Sequence, residues 1–469
     1  MTEDSKKLED VLFLKRKKVW DYIAEEEKEK AFMIAEEYKK FLDEGKTERE
    51  SAKFIVNYAI NKGFNNIDEV KKGNKFYKIF QNKAVAMVIM GKRPLTQNLK
   101  IIASHIDSPR LDLKQNPLYE EEDLVFFKTH YYGGIKKYHW VSIPLALHGR
   151  IILKNGRELD FAVGEKEEEP VFTVTDLLPH LSRKAQYDKK IEDAIIGEKL
   201  NILIGSLPSS EKNAKDSIKL HTMKILNELY GIIEEDFISA ELEIVPAFKS
   251  RDIGWDRSLI GGYGQDDRAC AFAAYKATGD LRNEKGNNII SLFLDKEEIG
   301  SEGNTGAQSK FIDALIIDLL EIQGTGTKQG DITKALLNAR AVSADVTGAL
   351  DPDWAEVYEK RNAAKLGYGV SISKFTGHRG KAGSSDAHAE FIGYIRKLFN
   401  QNNIIWQACE LGKVDEGGGG TVAKFFASYG MDIVDCGISI AGVHSPYEVS
   451  HKGDIYMAYK AYLSFLEQE

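Results

Sequence analysis

The sequence predicts an α/β fold with a mixed, largely parallel sheet flanked by helices, and three observations carry that prediction. Apolar runs such as Asn288–Leu294 are short and rich in β-branched residues, as in strands that are buried on both faces. Strand and helix patterns alternate in residues 1–109 and again in residues 246–469. Residues 110–245 instead show alternating, β-rich patterns, which predict an inserted β-rich domain with its own fold.

Local signals place the individual elements along the chain. The first ~60 residues have helical periodicity, and a capping box at Thr47–Glu50 predicts the start of one helix. In the inserted stretch, Asn155-Gly156 predicts a β-hairpin, and helices are expected over 177–181 and 220–230. Strands are expected near 84–90, 99–104, 288–294, 341–344, 369–373, 404–408 and 432–436.

Composition bounds the class of protein. The chain has 469 residues, of which 43% are hydrophobic and 29% charged, as expected for a soluble globular protein with more than one domain. A net charge of −8 gives no sign of nucleic acid or an anionic membrane as partner. No stretch reads as a signal peptide or membrane span. Cys270, Cys409 and Cys436 form no CxxC pair, so we expect reduced thiols in a cytoplasmic protein.

Acidic residues follow the strand at Asn288–Leu294 directly. Asp295, Glu297 and Glu298 lead into a glycine-containing loop, at the position where open α/β sheets place ligands. Adjacent carboxylates repel each other unless a cation or a proton compensates their charge. One of the two glutamates could bind a metal while the other acts as a base. A solvated acidic turn is the alternative interpretation.

Other apolar runs end in the same way. His105 and Asp107 point to one side of an extended segment, which suits a metal ligand and its orienting partner but also an ordinary turn. Two imidazoles and three carboxylates suit a pair of zinc-like ions, one carboxylate bridging them, with Glu297 left as a base for an activated water. Each position alone has a structural explanation, whereas the whole set favours a metal site. The candidate ligands are His105, Asp266, Glu298, Asp345 and His444.

The motifs HIDSP, DDR, DKEEIGS, SADV and GVHSP, in this order, resemble those of the M18 metallo-aminopeptidases. The resemblance covers nearly the whole chain and implies a zinc-exopeptidase fold with an inserted dimerisation domain. It implies two divalent metal ions, zinc first and cobalt or manganese as alternatives, and removal of the N-terminal residue from peptides. By this resemblance, His105 and His444 would bind different metal ions, and Asp266 would bridge the two ions. Glu298 and Asp345 would be the remaining ligands. Glu297 would be the general base, and Asp107 would orient His105.

The resemblance also implies a homo-oligomer in which dimers assemble into a tetrahedral dodecamer. The segment Ile143–His148 resembles one whose histidine binds the oxyanion in a neighbouring subunit, although an ordinary hairpin histidine also fits. Gly417–Gly420 resembles an active-site loop, with Gly419 expected at the substrate, and Lys374 is a second candidate contact. Gly348 stands where many members have histidine, which leaves that substrate contact open.

Two other functions remain compatible with the residues. A dipeptidase or amide deacylase acting on small substrates would use the same metal site. A self-assembling scaffold without activity would keep the fold, but the intact candidate ligand set and Glu297 argue against it.

Overall fold

The computed structural model describes residues 3–211, 214–282 and 286–468. Its α-helices are α1 (Glu3–Leu12), α2 (Val19–Tyr22), α3 (Glu25–Glu44), α4 (Glu48–Asn61), α5 (Ile191–Ala194), α6 (Ser217–Tyr230), α7 (Gln265–Asp280), α8 (Phe311–Gln323), α9 (Gln329–Leu337), α10 (Ala389–Gln401), α11 (Ala423–Ala427) and α12 (Lys452–Glu467).

The strands belong to four sheets. In chain order they are β1 (Asn65–Asn66), β2 (Lys75–Phe80), β3 (Ala84–Ile89), β4 (Leu99–His105), β5 (Arg110–Glu121), β6 (Leu124–Tyr132), β7 (Leu145–Ile152), β8 (Glu158–Val163), β9 (Ile202–Gly205), β10 (Ala240–Pro246), β11 (Arg251–Ile253), β12 (Leu259–Gly262), β13 (Asn288–Leu294), β14 (Arg340–Ser343), β15 (Thr347–Gly348), β16 (Val370–Ser373), β17 (Trp406–Cys409), β18 (Asp432–Gly437), β19 (Ser439–Ile440) and β20 (Glu448–His451).

The largest sheet is mixed and has the order β1-β2-β3-β13-β4-β14-β18-β16-β17. Its centre, β13-β4-β14-β18, is parallel throughout. Alternate residues of β13 enter different cores, with Ile289 and Phe293 on the face covered by α3, α4, α7 and α12. Ile290 and Leu292 lie on the other face, beneath α8 and α9. Helices on both faces explain why these central strands are apolar at nearly every position.

A second sheet lies between Arg110 and Pro246 and is antiparallel, in the order β8-β7-β10-β5-β6-β9. It encloses a separate hydrophobic core around the fully buried Trp140 and Leu145. The smaller sheets are β11-β12-β20 and β15-β19. Among the helices described, none is long and apolar enough to cross a membrane.

Most of the expected elements form. The capping box at the start of α4 is present, since the Thr47 side chain accepts a hydrogen bond from Glu50 N and the Glu50 side chain accepts one from Thr47 N. The prediction of a helix at 177–181 was wrong, because the helical turn lies at Arg183–Tyr187 instead. The strand β2 and the helix α9 had no counterpart in the expectations.

Candidate metal centre

The register of the central strands brings the candidate ligands to one edge of the sheet. Leu294 of β13 pairs with His105 of β4, and Ala103 of β4 pairs with Ser343 of β14. The carboxyl ends of the three strands are therefore level. Asp345 leaves that edge two residues after β14. This edge is where an open α/β sheet offers space to a ligand.

Asp266 lies between the two candidate histidines, at the start of α7 where the backbone departs from helical dihedral angles. Its Oδ1 is 3.3 Å from Nε2 of His105, and its Oδ2 is 3.2 Å from Nε2 of His444. The same His444 nitrogen is 3.3 Å from Oε2 of Glu298. One carboxylate thus presents each of its oxygens to a different imidazole, which is the arrangement that a bridging ligand requires.

Hydrogen bonds on the far side of each ring fix its orientation. Nδ1 of His444 donates to the carbonyl oxygen of Gly134 at 2.8 Å. Nδ1 of His105 faces Asp107, 3.1 Å from its carbonyl oxygen and 3.2 Å from Oδ1. A ring that donates through Nδ1 keeps the lone pair of Nε2 free for a metal. Both lone pairs then face Asp266.

Asp107 holds several parts of the site at once. It is fully buried, and its carboxylate accepts hydrogen bonds from the backbone N–H groups of Glu297 and Glu298, each at 3.2 Å. Tyr132 donates its hydroxyl to Oδ2 at 2.7 Å. Although burial alone would raise it, the pKa of Asp107 is lowered by its bond to His105 and the Tyr132 hydroxyl. Asp107 is therefore a buried anion that connects β4 to the loop after β13.

Glu448 was not anticipated from the sequence. Its buried carboxylate accepts hydrogen bonds from the backbone N–H groups of His444 at 2.7 Å, Gln265 at 2.5 Å and Asp266 at 3.1 Å. It thereby ties the loop after β19 to the start of α7. A lone Glu on β20 gave no motif that could have indicated this role.

Asp267 is a second residue of the site that was not predicted from the sequence. Its Oδ2 accepts a hydrogen bond from His105 N at 3.3 Å, and the buried Oδ1 has no hydrogen-bond partner in the described ranges. Potential ligand atoms of His105, Asp267 and Asp345 lie within 4.8 Å of one another, as do those of His105, Asp266 and Glu298. The adjacent acids of the DDR motif were the available signal.

The carboxylates of the site are crowded and poorly compensated. Burial, together with repulsion by Asp266, raises the pKa of Glu298 well above its usual range. Burial and the charge of Asp267 do the same to the pKa of Asp345. Burial raises the pKa of Glu297 to about 7, with Asp107 and Asp266 adding to the rise and the two histidines opposing it. Acids in this state gain from a cation.

The donor set fits divalent metal ions. Imidazole nitrogens and carboxylate oxygens converge, and Oε1 of Glu298 is a buried acceptor that no group in the described part of the chain satisfies. Buried acceptors without partners are costly unless an ion or a water completes them. Imidazole with carboxylate is the ligand chemistry preferred by zinc and related metals.

A cleft of about 520 Å³ opens onto these side chains. Its far wall is formed by the glycine run Gly417–Gly420, where the Gly419 carbonyl accepts a hydrogen bond from Gly377 N at 2.7 Å. Thr421 anchors the end of the run by donating to Oδ1 of the buried Asp435 at 2.7 Å. Gly348 also lines the cleft. Gly419 thus lies where a substrate contact was expected.

Two of the candidate site residues, His148 and Lys374, do not line this cleft. His148 is buried on β7, with Nδ1 2.8 Å from Glu50 and Nε2 3.1 Å from Glu165. Both ring nitrogens are engaged within its own chain, and the role expected of His148 at a neighbouring subunit stays a prediction. Lys374 has an exposed side chain outside the cleft lining, although Ser373 and Phe375 on either side of it do line the cleft. A substrate contact by Lys374 stays a prediction.

Comparisons with known proteins identify the family of this chain. Residues 41–466 match the family model of the aminopeptidase I zinc metalloproteases (M18). A probable M18 family aminopeptidase 1 from Borreliella afzelii is 47% identical over 459 residues, which is 97% of this chain and 100% of the relative. The crystal structure of an M18 aminopeptidase from Thermotoga maritima matches with a TM-score of 0.94 at 45% identity, covering 97% of this chain and 100% of that one.

More distant structures share the fold. A dodecamer structure from Saccharomyces cerevisiae matches with a TM-score of 0.74 at 20% identity, over 93% of this chain and 96% of that one. The near-complete coverage by the family model and by close relatives is decisive. The chain belongs to the M18 family of zinc metallo-aminopeptidases, which are hydrolases of the exopeptidase class.

Proposed function

We propose that this protein removes single N-terminal residues from peptides by means of two divalent metal ions held on either side of Asp266. The observation that carries the proposal is the position of Asp266, whose two oxygens face Nε2 of His105 and Nε2 of His444. Glu298 would complete the shell near His444, and Asp345 the shell near His105. Zinc is the first candidate, in keeping with the family description.

Bound metal ions supply Lewis-acid activation of a water and of the scissile carbonyl. Glu297 is the general base of the proposal, because it lines the cleft beside Asp266 and Glu298 without contacting either histidine in the described geometry. Its carboxylate accepts the proton of the attacking water and returns it to the departing amine. Its backbone N–H bonds to Asp107, which fixes the loop that carries it.

The surroundings of the site favour cleavage at the N-terminus. A free α-amine is cationic, and the crowded carboxylates that line the cleft attract a cation. The glycine run opposite leaves room for an extended peptide backbone to lie between the metal ligands and Gly419. A peptide bond far from the N-terminus would bring no such charge to the site.

Assembly and location are part of the proposal. We propose a homo-oligomer in which the inserted domain 110–245 mediates dimer contacts and the dimers build a tetrahedral dodecamer, since the S. cerevisiae relative is a dodecamer. The cysteines Cys270, Cys409 and Cys436 are all free and buried, in keeping with the reducing cytoplasm.

Substitution of the base tests the mechanism. Glu297→Gln should lower kcat for release of the N-terminal residue from a dipeptide amide by a factor of about 10² to 10⁴. The metal content of the purified protein should stay unchanged. The matched control is Glu302→Gln, an exposed glutamate on the same loop that does not line the cleft. Near-normal turnover of the Glu297 variant would eliminate the proposed role.

Peptides of increasing length separate the leading function from a dipeptidase or small-amide deacylase. An aminopeptidase should release the first residue from peptides of two, five and ten residues, as followed by mass spectrometry. Activity confined to the dipeptide would favour the alternative.

A further inference from the structure

One short segment of the inserted sheet touches the surroundings of both candidate metal histidines. It consists of Tyr132, the last residue of β6, and the following Gly133 and Gly134, and we call it the YGG segment. The strand β6 belongs to the six-stranded sheet and not to the nine-stranded sheet that carries the metal site.

Tyr132 contacts the site of His105 through Asp107. Its hydroxyl donates to Oδ2 of Asp107 at 2.7 Å, and Oδ1 of the same carboxylate lies 3.2 Å from Nδ1 of His105. The Tyr132 ring stacks beneath the guanidinium of Arg110, whose carbon is 3.9 Å from the ring centre. The ring is thus held by Arg110, while the hydroxyl reaches toward the metal ligands.

Gly134 contacts His444 directly. Its carbonyl oxygen accepts the hydrogen bond from Nδ1 at 2.8 Å. A Cβ at Gly134 would lie only 3.3 Å from that same nitrogen. At Gly133, which has φ of +74°, a Cβ would lie 3.3 Å from Cβ of Glu298. Side chains at either glycine would push against a ligand, so the glycines permit the close approach.

We propose that the YGG segment positions both histidines, so that the inserted sheet sets the geometry and affinity of the metal centre. Tyr132 acts through Asp107 on His105, and Gly134 acts on His444, so neither is a catalytic residue. The inference rests on the proposed two-metal function, because it assigns the segment a role at that site. Outer hydrogen-bond partners of metal ligands orient them and raise their basicity.

The first test removes one hydroxyl. Tyr132→Phe keeps the ring against Arg110 but removes the hydroxyl donor from Asp107, which retains the backbone N–H donors of Glu297 and Glu298. Zinc affinity, measured by competition with a chromogenic chelator, should weaken by about 10- to 100-fold. The melting temperature of the metal-free protein should stay close to that of the unaltered chain. The matched control is Tyr131→Phe on the same strand, whose hydroxyl has no hydrogen-bond partner in the described residues and which should bind zinc as the unaltered chain does.

The second test crowds the other histidine. Gly134→Ala should weaken zinc binding as well, whereas Gly330→Ala, where a Cβ meets no atom within 4 Å, should not. Unchanged zinc affinity in both Tyr132→Phe and Gly134→Ala, with tight binding by the unaltered chain, would overturn this inference and leave the proposed function standing. Failure of the unaltered chain to bind zinc would overturn both.

Discussion

Two buried clusters of carboxylates differ in how their charge is balanced. In the first, Glu48 lies 3.0 Å from Nζ of Lys83 and 3.4 Å from Arg110, and Arg110 also lies 3.2 Å from Glu243. In the second, at the metal site, the acids have only histidines as cationic neighbours, and in the ranges described here none of them pairs with Lys or Arg.

The difference indicates where each cluster obtains its positive charge. The first cluster has its counter-charges on the chain: Arg110 and Lys83 lower the pKa of Glu48 although burial opposes the change, whereas burial and the charge of Glu48 raise the pKa of Glu243. In the second cluster, the bonds to His105 and His444 lower the pKa of Asp266, while burial and repulsion by neighbouring acids raise the pKa of Glu298 and Asp345. Because the cationic neighbours of the second cluster are histidines alone among the described residues, we propose that metal ions from outside the chain complete it.

The largest expected effect comes from removing the bridge of the uncompensated cluster. Asp266→Asn should lower kcat/KM by roughly 10³-fold or more, because several kcal/mol of metal-derived stabilisation are lost with the ions. The metal-free variant should be less stable than the unaltered metal-free chain, because His105 and His444 lower the pKa of Asp266 and its charged form stabilises the fold. Activity assays with elemental analysis and urea unfolding in chelator check both parts, and full zinc uptake by the variant would contradict the comparison.

The same exchange in the compensated cluster should destabilise the fold. Glu48→Gln removes the anion that Arg110 and Lys83 share, although Asp112 and Glu243 remain beside Arg110 and Glu241 beside Lys83. We expect a cost of about 1–3 kcal/mol in the free energy of unfolding. Urea titration measures it, with Glu44→Gln at an exposed position of α3 as the control. Equal stability of the two variants would show that Glu48 is not needed to balance these cations.

Removal of metal should sharpen the contrast further. With free zinc at 100 times its dissociation constant, binding adds about 2.7 kcal/mol to the free energy of unfolding. A chelator should therefore lower the melting temperature of the unaltered chain and barely change that of Asp266→Asn. Calorimetry with and without chelator measures these melting temperatures. Equal shifts for the unaltered chain and for Asp266→Asn would place the stabilising metal away from Asp266.

The smallest expected effect concerns His148, a histidine held by carboxylates alone. Burial would lower its pKa, but hydrogen bonds to Glu165 and Glu50 prevail and raise it. Lys46 and Lys249 also reach Glu165, whose pKa falls to about 2, so Glu165 stays ionised at neutral pH.

The raised pKa of His148 fixes the sign of its pH dependence. Its protonated form stabilises the fold below pH ~6.5, the unfolded value, and this stabilisation is lost as the pH rises through the higher folded pKa. His148→Gln should remove about 1.5 kcal/mol at pH 6 and flatten the decline. Unfolding at pH 6 to 9 measures it, with exposed His130→Gln as control. If the stability of the His148 variant still falls as the pH rises, the pH dependence belongs to another titrating group.

The elements with strong local signals could be predicted from the sequence. The apolar run of β13 and the capping box of α4 depend on neighbouring residues alone, and both form as expected. The five candidate ligands could be predicted as one set because each lies at the end of a strand or at the start of a helix, at one edge of the sheet. The helix predicted at residues 177–181 does not form. Its leucines, Leu177, Leu178 and Leu181, are exposed rather than packed against another element as one face of a helix would be.

Residues that act across long sequence separations were not predictable. Glu448 binds the backbone of residues more than 180 positions away, and Tyr132 reaches Asp107 from another sheet. The partners of His148 within its own chain were not predictable either, since Glu50 and Glu165 become its neighbours only when α4 packs against the inserted sheet. Such contacts depend on tertiary packing that no local pattern encodes.

The most direct test is anomalous diffraction at the zinc edge from crystals of the zinc-loaded protein. The account predicts two peaks flanking the Asp266 carboxylate, one beside Nε2 of His105 and one beside Nε2 of His444. A single peak, or peaks remote from Asp266, would contradict it.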